Sequence, residues 1–274
     1  EEWRTRTNAN MRILEKLIPQ VFAGSQYANR MPIGTMDIVM NFPYQTLKDY
    51  YHKWYRPDLQ GIIIVGDIDA DKTEKKLKEI FNAIPKPENA AERIYYTVPD
   101  NKEPIIAIAK DKEATGSQVT VYYKHKPMTK ELKATIAGIA GIYLKSVTSM
   151  MLNDRLKEIS EKPNAPFMSA YSYDANFIVS KTMDAFTTMA VSKEGETQKA
   201  LKALLQETER VNRFGFTESE YERAKANLLS MIESMYKERE KQKNNSYVEE
   251  YVSHFTDGGS ICGIETDYML LNKV

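Results

Sequence analysis

The fold is decided by three stretches, Arg30-Met-Pro-Ile-Gly-Thr35, Pro43-Tyr-Gln-Thr-Leu-Lys-Asp-Tyr-Tyr-His-Lys-Trp-Tyr-Arg-Pro57 and Gly61-Ile-Ile-Ile-Val-Gly-Asp67. A proline and a glycine two residues apart predict a turn in the first stretch. The second predicts a helix that begins at one proline, where a missing N–H is harmless, and ends before the next. In the third, Ile62–Val65 is short, apolar and rich in β-branched residues, so it predicts a strand buried on both faces.

One face of the predicted helix is apolar and aromatic. Leu47, Tyr50, Tyr51 and Trp54 recur at three- and four-residue spacings, which places them on the same side of a helix. The wider aromatic cluster consists of Tyr44, Tyr50, Tyr51, Trp54 and Tyr55. Such a cluster could stack a planar ligand, but its helical spacing favours packing in a core.

The composition is that of an ordinary globular protein, with 274 residues, 42% apolar and 28% charged. Lysine plus arginine equals aspartate plus glutamate at 38 each, and no basic cluster stands out, so we expect no nucleic-acid partner. No stretch approaches the roughly 20 apolar residues that a membrane-spanning helix needs. The single cysteine, Cys262, excludes an internal disulfide and a cysteine-based zinc site.

The rest of the chain predicts a mixture of helices and antiparallel strands. Apolar spacing predicts helices at about 3–22, 129–158, 195–213 and 217–241, and the last begins with the capping box Thr217-x-x-Glu220. The predicted strands are Ile94–Val98, Ile105–Ala109, Val119–Tyr123, Phe167–Tyr173 and Phe186–Val191. This order indicates an α+β protein made of two-layer units, in which mostly antiparallel sheet packs against helices.

The best linker is Pro85-Lys-Pro87 with the polar residues that follow it up to Glu92. It predicts two domains, one at residues 1–85 and the other at 86–274. The first domain would contain the three stretches that open this section, and the second would contain most of the predicted strands.

The residue types that most often act as metal ligands or nucleophiles, histidine and cysteine, are few in this sequence and do not form a recognisable motif. None of His52, His125 and His254 has another His, Cys or Glu at metal-binding spacing, so structural or surface roles are favoured for all three. Cys262 has no histidine partner nearby and is not predicted to be a nucleophile. The chain also contains no H-E-x-x-H, H-x-x-E-H, G-x-S-x-G, Walker or G-x-G-x-x-G motif. Taken alone, the residues predict a soluble two-domain protein without an assigned activity.

The order of the opening stretches resembles the insulinase/pitrilysin/mitochondrial-processing-peptidase family of zinc metallopeptidases. Its members carry a Pro-Ile-Gly-Thr-type loop, a helix ending in Tyr-x-x-x-Trp-Tyr-Arg-Pro, a strand ending in Val-Gly-Asp, and a helix ending in a Phe…Ile-Pro pattern. The matching residues here are Pro32–Thr35, Tyr50–Pro57, Val65–Asp67 and Phe81…Pro85. The resemblance implies a processing-peptidase-like metallohydrolase fold whose first unit is incomplete in this chain.

In this family, zinc is bound by the two histidines of H-x-x-E-H and by a glutamate further along the chain. The resemblance implies that Glu2 is this third zinc ligand, with Glu1 as the adjacent alternative. Because H-x-x-E-H is absent, no catalytic residue is predicted in the chain, and no substrate-binding residue is assigned. Zinc is expected in the intact parent protein and not in this fragment.

The resemblance therefore implies part of a zinc metalloendopeptidase that hydrolyses peptides or small proteins through zinc-activated water. The expected partners are peptide substrates and the missing N-terminal and C-terminal parts of the parent chain. A periplasmic location is slightly favoured over a cytoplasmic one. The alternative is a non-catalytic family member that acts as a partner subunit or scaffold.

Arg155 is the other residue for which the resemblance raises a functional role. In the companion half of these peptidases, an arginine is followed seven residues later by a tyrosine near the scissile bond. Here the residue seven positions after Arg155 is Lys162, and Tyr171 lies too far along the chain. We therefore expect Arg155 to form a salt bridge or to cap carbonyl groups at a helix end.

Overall fold

The computed structural model of the chain describes residues 2–5 and 8–273, with residues 2 and 5 described by their backbone alone. The chain forms two compact units, and each draws residues from both sides of the predicted 85/86 boundary. The first unit comprises Glu1–Gly34, Tyr95–Met128 and Ala137–Ser230, and the second comprises Thr35–Ile94, Thr129–Ile136 and Met231–Val274. The division into domains at 1–85 and 86–274 stays a prediction.

The first unit contains a three-stranded antiparallel sheet. Its strands are β1 (Ser117–His125), β2 (Ser169–Asn176) and β3 (Asp184–Ser192), in the order β1-β3-β2. Val121 pairs with Thr188, and Thr188 pairs with Ser172 on its other side. Three of the predicted strands are thus confirmed with shifted ends, as is the antiparallel character of the sheet.

Helices make up most of the remaining structure. They are α1 (Glu2–Thr5), α2 (Ala9–Val21), α3 (Met36–Asn41), α4 (Tyr44–Trp54), α5 (Ala70–Phe81), α6 (Lys130–Lys133), α7 (Ile136–Ser160), α8 (Thr197–Phe214), α9 (Glu218–Lys237), α10 (Asn244–Asp257) and α11 (Gly263–Leu271). Among the helices described, none has the length and apolar character needed to cross a membrane.

The two faces of the sheet are covered by different helices. On one face, Leu152 of α7 and Leu204 of α8 pack with Ala190 of β3 in a fully buried cluster. On the other face, Phe22 at the end of α2 packs with Ala185 of β3. Successive residues of a strand point to opposite faces, which explains why Ala185 and Ala190 belong to different clusters. This helix-on-sheet layering confirms the predicted α+β class.

The predicted start of the helix near residue 217 is confirmed in atomic detail. The amide of Glu220 donates to the hydroxyl of Thr217 at 3.3 Å, and the carboxylate of Glu220 accepts from the amide of Thr217 at 2.6 Å. These reciprocal bonds form a capping box, which satisfies two backbone donors that the first turn leaves free.

Three predicted helix ranges need correction. The range predicted at about 3–22 contains two helices, α1 and α2, and α2 begins after Asn8, whose side chain accepts a hydrogen bond from the amide of Met11 at 3.0 Å. The second is divided into α6 and α7, because the Thr135 hydroxyl donates to the carbonyl of Leu132 and competes with helix continuation. The helix predicted to reach residue 241 ends at Lys237, and a 3-10 turn follows it.

The predicted strands Ile62–Val65, Ile94–Val98 and Ile105–Ala109 are wrong, because these segments belong to no strand. Ile62 is 52% exposed and Ile106 is 80% exposed, so the predicted burial on both faces of the first segment is wrong as well. An extended apolar segment becomes a strand when a neighbouring strand takes its backbone hydrogen bonds. Within the described residues, no strand of the sheet pairs with any of these three runs.

The aromatic face of α4 is exposed, which contradicts the predicted packing in a core. Tyr44 is 85% exposed, and Tyr50 and Tyr51 are more than half exposed. The rings of Tyr51 and Tyr55 stack on each other at 5.0 Å, and Lys53 lies over the ring of Trp54. Helical spacing correctly predicts one aromatic face, but burial also requires a second element to cover that face.

Candidate functional site

The predicted zinc ligand lies in the first helix of the chain. The backbone of Glu2 belongs to α1, but its side chain lies outside the described residues, as does the whole of Glu1. The assignment of Glu2 as the third zinc ligand therefore stays a prediction.

The three histidines lie in separate elements, with His52 in α4, His125 at the end of β1 and His254 in α10. The ring of His52 lies edge-on to Tyr51, and Nδ1 of His254 lies 2.6 Å from the carbonyl oxygen of Gly259. Within the described residues, no three His, Cys, Asp or Glu side chains come together as metal ligands. This part of the chain does not fit a zinc ion by itself.

His125 belongs to a polar cluster at the end of β1. Its Nε2 lies 2.9 Å from Oδ2 of Asp174, and its Nδ1 lies 3.0 Å from the carbonyl oxygen of Lys126. Lys145 of α7 donates to the other Asp174 oxygen at 2.6 Å. The Asp174 side chain is only 10% exposed, and these partners replace the hydrogen bonds to water that it loses on burial. The cluster therefore fastens α7 to the ends of β1 and β2.

Arg155 of α7 lies at the centre of a second, more buried charge cluster. Its Nη1 donates to Glu207 of α8 at 3.1 Å, and its Nη2 donates to Glu220 at the start of α9 at 2.8 Å. The same Nη2 donates to the carbonyl of Gly215 at 3.1 Å, and the guanidinium lies 4.7 Å from the centre of the Phe216 ring. These are the salt bridge and carbonyl cap that the sequence predicts for Arg155.

The charge cluster shifts the acid–base equilibria of its members. The hydrogen bond from Arg155 is the main reason why the pKa of Glu220 falls from 4.5 to about 2, and the bonds from Thr217 lower it further. The hydrogen bond to Glu220 likewise raises the pKa of Arg155 above its ordinary value. Both shifts favour the charged forms, so the cluster is an ion pair at neutral pH.

This shift predicts an acid sensitivity that can be assigned to one residue. The folded-state pKa of Glu220 is depressed, so its contribution to stability is fully present above pH 4.5 and is lost as the pH falls towards 2. Between pH 5 and 3, urea unfolding should show a steeper loss of stability for the natural protein than for Glu220→Gln. Parallel curves would contradict the prediction. The hydrogen bond from Arg12 also lowers the pKa of Asp111. Asp111 is present in both proteins, so its contribution to the pH dependence of stability cancels in the comparison.

Asn153 of α7 is bound directly to the backbone of β2. Its Oδ1 accepts the amide of Ser172 at 2.6 Å, and its Nδ2 donates to the carbonyl of the same residue at 3.0 Å. The side-chain amide thereby imitates a neighbouring strand at this position. Sequence reasoning missed this contact, although a polar residue beside the buried Leu152 in a long helix is a signal that such a partner exists.

The polar contacts of α7 hold helices together and hold α7 against the sheet. Arg155, Asn153 and Lys145 each project from α7 to another element, and their partners are acidic side chains or backbone groups. Every one of these contacts joins residues far apart in the sequence. The arrangement is that of a scaffold built around α7.

Comparison with known proteins identifies the class of protein that this scaffold represents. The profile of the family described as "Peptidase M16 inactive domain" matches residues 41–228, which is more than half of the chain. The chain belongs to this family. The match confirms the resemblance to the insulinase-type zinc metallopeptidases inferred from the opening stretches.

Similar proteins include a "Zinc protease PQQL-like" of Arabidopsis thaliana, which is 29% identical over 271 residues. The alignment covers 98% of this chain and 25% of that protein. A "Probable zinc protease PqqL" of Haemophilus influenzae is also 29% identical, over 80% of this chain and 23% of its own length. The chain therefore spans about a quarter of the curated relatives that it matches.

A solved structure supports the same fold. The first half of the periplasmic protease PqqL from Escherichia coli superimposes with a TM-score of 0.81 and 20% sequence identity. The similarity covers 99% of this chain and 57% of that structure. This agreement confirms the processing-peptidase-like fold.

Proposed function

We propose that the chain is a non-catalytic part of a zinc metalloendopeptidase that hydrolyses peptides or small proteins. The observation that carries the proposal is the match of residues 41–228 to the inactive-domain family. The chain also aligns with about a quarter of the length of relatives that are named as zinc proteases. On this proposal, residues 1–85 are the end of the catalytic domain, and residues 86–274 are the second domain.

The role of the chain is to build the protein wall beside the metal centre. The charge cluster of Arg155 and the contact of Asn153 with β2 support this role, because the first joins α7 to α8 and α9 and the second holds α7 against the sheet. The described residues do not form a zinc site, so the histidines and the general base come from the rest of the longer polypeptide. Glu2 is the one ligand that this chain contributes.

The compartment and partners follow from the same proposal. The Escherichia coli structure is named as a periplasmic protease, and we propose the same location for this protein. Its partners are peptide substrates and the remaining parts of the longer polypeptide. The surface left exposed on α4 supports such a partner, since an aromatic face of this kind is usually covered.

Metal analysis and peptidase assays test the proposal. The isolated chain is expected to bind less than one zinc ion per molecule after dialysis against zinc, and to cleave no quenched fluorescent peptide. A longer polypeptide that includes the preceding segment is expected to bind zinc and cleave. In that longer protein, Glu2→Gln should remove the zinc, whereas Glu88→Gln, a change at an exposed glutamate, should leave zinc content and activity unchanged.

Two results would overturn the proposal. Chelator-sensitive cleavage by the isolated chain would mean that it contains a complete active site. A longer polypeptide that lacks H-x-x-E-H and does not cleave would instead favour the alternative function, a partner subunit or scaffold. Retention of zinc by Glu2→Gln would reject the ligand assignment while leaving the wider proposal intact.

A further inference from the structure

β1 is an edge strand whose outer side is open. It pairs with β3 on one side, and within the described residues no strand pairs with it on the other. Natural edge strands are usually protected by proline, by short length or by charges. β1 has nine residues and no proline, and Lys124 near its end is its one residue with a permanent charge. It therefore lacks the usual protection against pairing.

The register of the sheet identifies the backbone groups on this open side. The amide and carbonyl of Ser172 both bond to Asn153, so they point away from β3, and the pair Ser172–Thr188 is a non-hydrogen-bonded pair. Thr188 must then direct its backbone groups to Val121 of β1. Because the pattern alternates, the outward groups of β1 are those of Gln118, Thr120, Tyr122 and Lys124.

The opposite edge of the sheet differs in this respect. Asn153 occupies the outward amide and carbonyl in the middle of β2, and Asp174, another residue of β2, is a nearly buried carboxylate. Both features oppose the addition of another strand there. The sheet is thus closed on the β2 side and open on the β1 side.

The sequence of β1 is complementary to itself in the antiparallel direction. If a two-fold axis passes through Val121, then Thr120 faces Tyr122 of a second copy, and Gln118 faces Lys124. These are the residues with outward backbone groups, so every outward amide meets an outward carbonyl. Val119 and Tyr123 meet on the other face, and two Val121 side chains meet at the axis. No two like charges are opposed.

We propose that β1 pairs with β1 of a second copy of this chain, which makes a two-fold dimer with a continuous sheet of six strands. An apolar groove of about 1100 Å³ supports the proposal, because α8 and Tyr123 of β1 line it beside this edge. Leu205 and Phe214 on its walls are exposed, and pairing would bring a second copy next to them. The proposal does not depend on the proposed function.

Charge changes at Gln118 provide the test, since this side chain is exposed and its replacement leaves the core intact. Gln118→Lys places a lysine opposite Lys124 twice in each dimer, which should raise the dimer dissociation constant roughly tenfold or more. Gln118→Glu places opposite charges there and should lower the constant. Sedimentation equilibrium over a concentration series measures both, and the monomer has a mass of 31.5 kDa. Salt should reduce the two effects.

Ala175→Lys is the matched control, because it adds the same charge to an exposed position on β2. It should leave the dissociation constant unchanged. Amide exchange by NMR gives an independent measure, in which the amides of Thr120 and Tyr122 should be protected in the dimer and exchange quickly in Gln118→Lys. A monomer throughout the series would overturn the proposal. So would a dimer in which Gln118→Lys and Ala175→Lys behave alike, since another surface would then be responsible.

Discussion

Replacing Arg155 by methionine is expected to lower the free energy of unfolding by about 3–5 kcal/mol. The guanidinium is nearly buried and is the shared partner of Glu207 and Glu220. Methionine fills similar space but leaves two carboxylates in a poorly hydrated position without a cation. Urea unfolding followed by circular dichroism at pH 7 measures the loss.

The comparison with an exposed ion pair makes this prediction specific. Arg213 is mostly exposed and bonds to Glu209 at 2.6 Å within α8. Arg213→Met should therefore cost at most about 1 kcal/mol. Adding Glu207→Gln and Glu220→Gln to Arg155→Met should restore part of the lost stability, because the uncompensated charges are removed. Equal losses for Arg155→Met and Arg213→Met would show that the buried cluster has no special role.

Replacing Phe167 by alanine is expected to cost about 3–5 kcal/mol of unfolding free energy. Phe167 lies two residues before β2, is fully buried, and packs in the cluster that contains Leu152, Leu204 and Ala190. The loss combines the transfer of a phenyl ring to water with the cavity left behind, because neighbouring side chains fill such a cavity only in part. Urea unfolding of the natural protein and of Phe167→Ala, compared at the same pH, measures this difference in unfolding free energy.

Phe214→Ala removes the same atoms from a ring that is 80% exposed. It should change the unfolding free energy by no more than about 0.5 kcal/mol when measured at low protein concentration, where the chain is monomeric. The two substitutions differ in burial and not in chemistry. A similar cost for both would mean that the cluster between α7, α8 and the sheet does not stabilise the fold.

The success of sequence reasoning depended on how local each interaction is. Thr217 and Glu220 are three residues apart, and their capping box is correctly predicted because one turn of helix brings them together. The strand at Phe186–Val191 is also predicted, since its composition favours an extended chain. The run Ile62–Val65 consists only of β-branched residues, which favour an extended chain at least as strongly, and it is not a strand, because pairing requires a neighbour that composition cannot specify.

The candidate site shows the same division. The family follows from the order of the loop, helix and strand motifs between Arg30 and Asp67, which requires no knowledge of contacts. The charge cluster of Arg155 could be predicted in kind, but its partners Glu207 and Glu220 are more than 50 residues away. No spacing rule links residues at that distance.

The sequence by itself determined the family of this protein, its α+β class and the absence of an H-x-x-E-H motif, because these are properties of residue order and local spacing. Tertiary structure alone decided which apolar segments are buried and which edge of the sheet is closed. Asn153 closes the β2 edge, while the β1 edge and the aromatic face of α4 stay open. The physical reason is that burial and pairing depend on a partner surface, and folding is what brings that surface into contact.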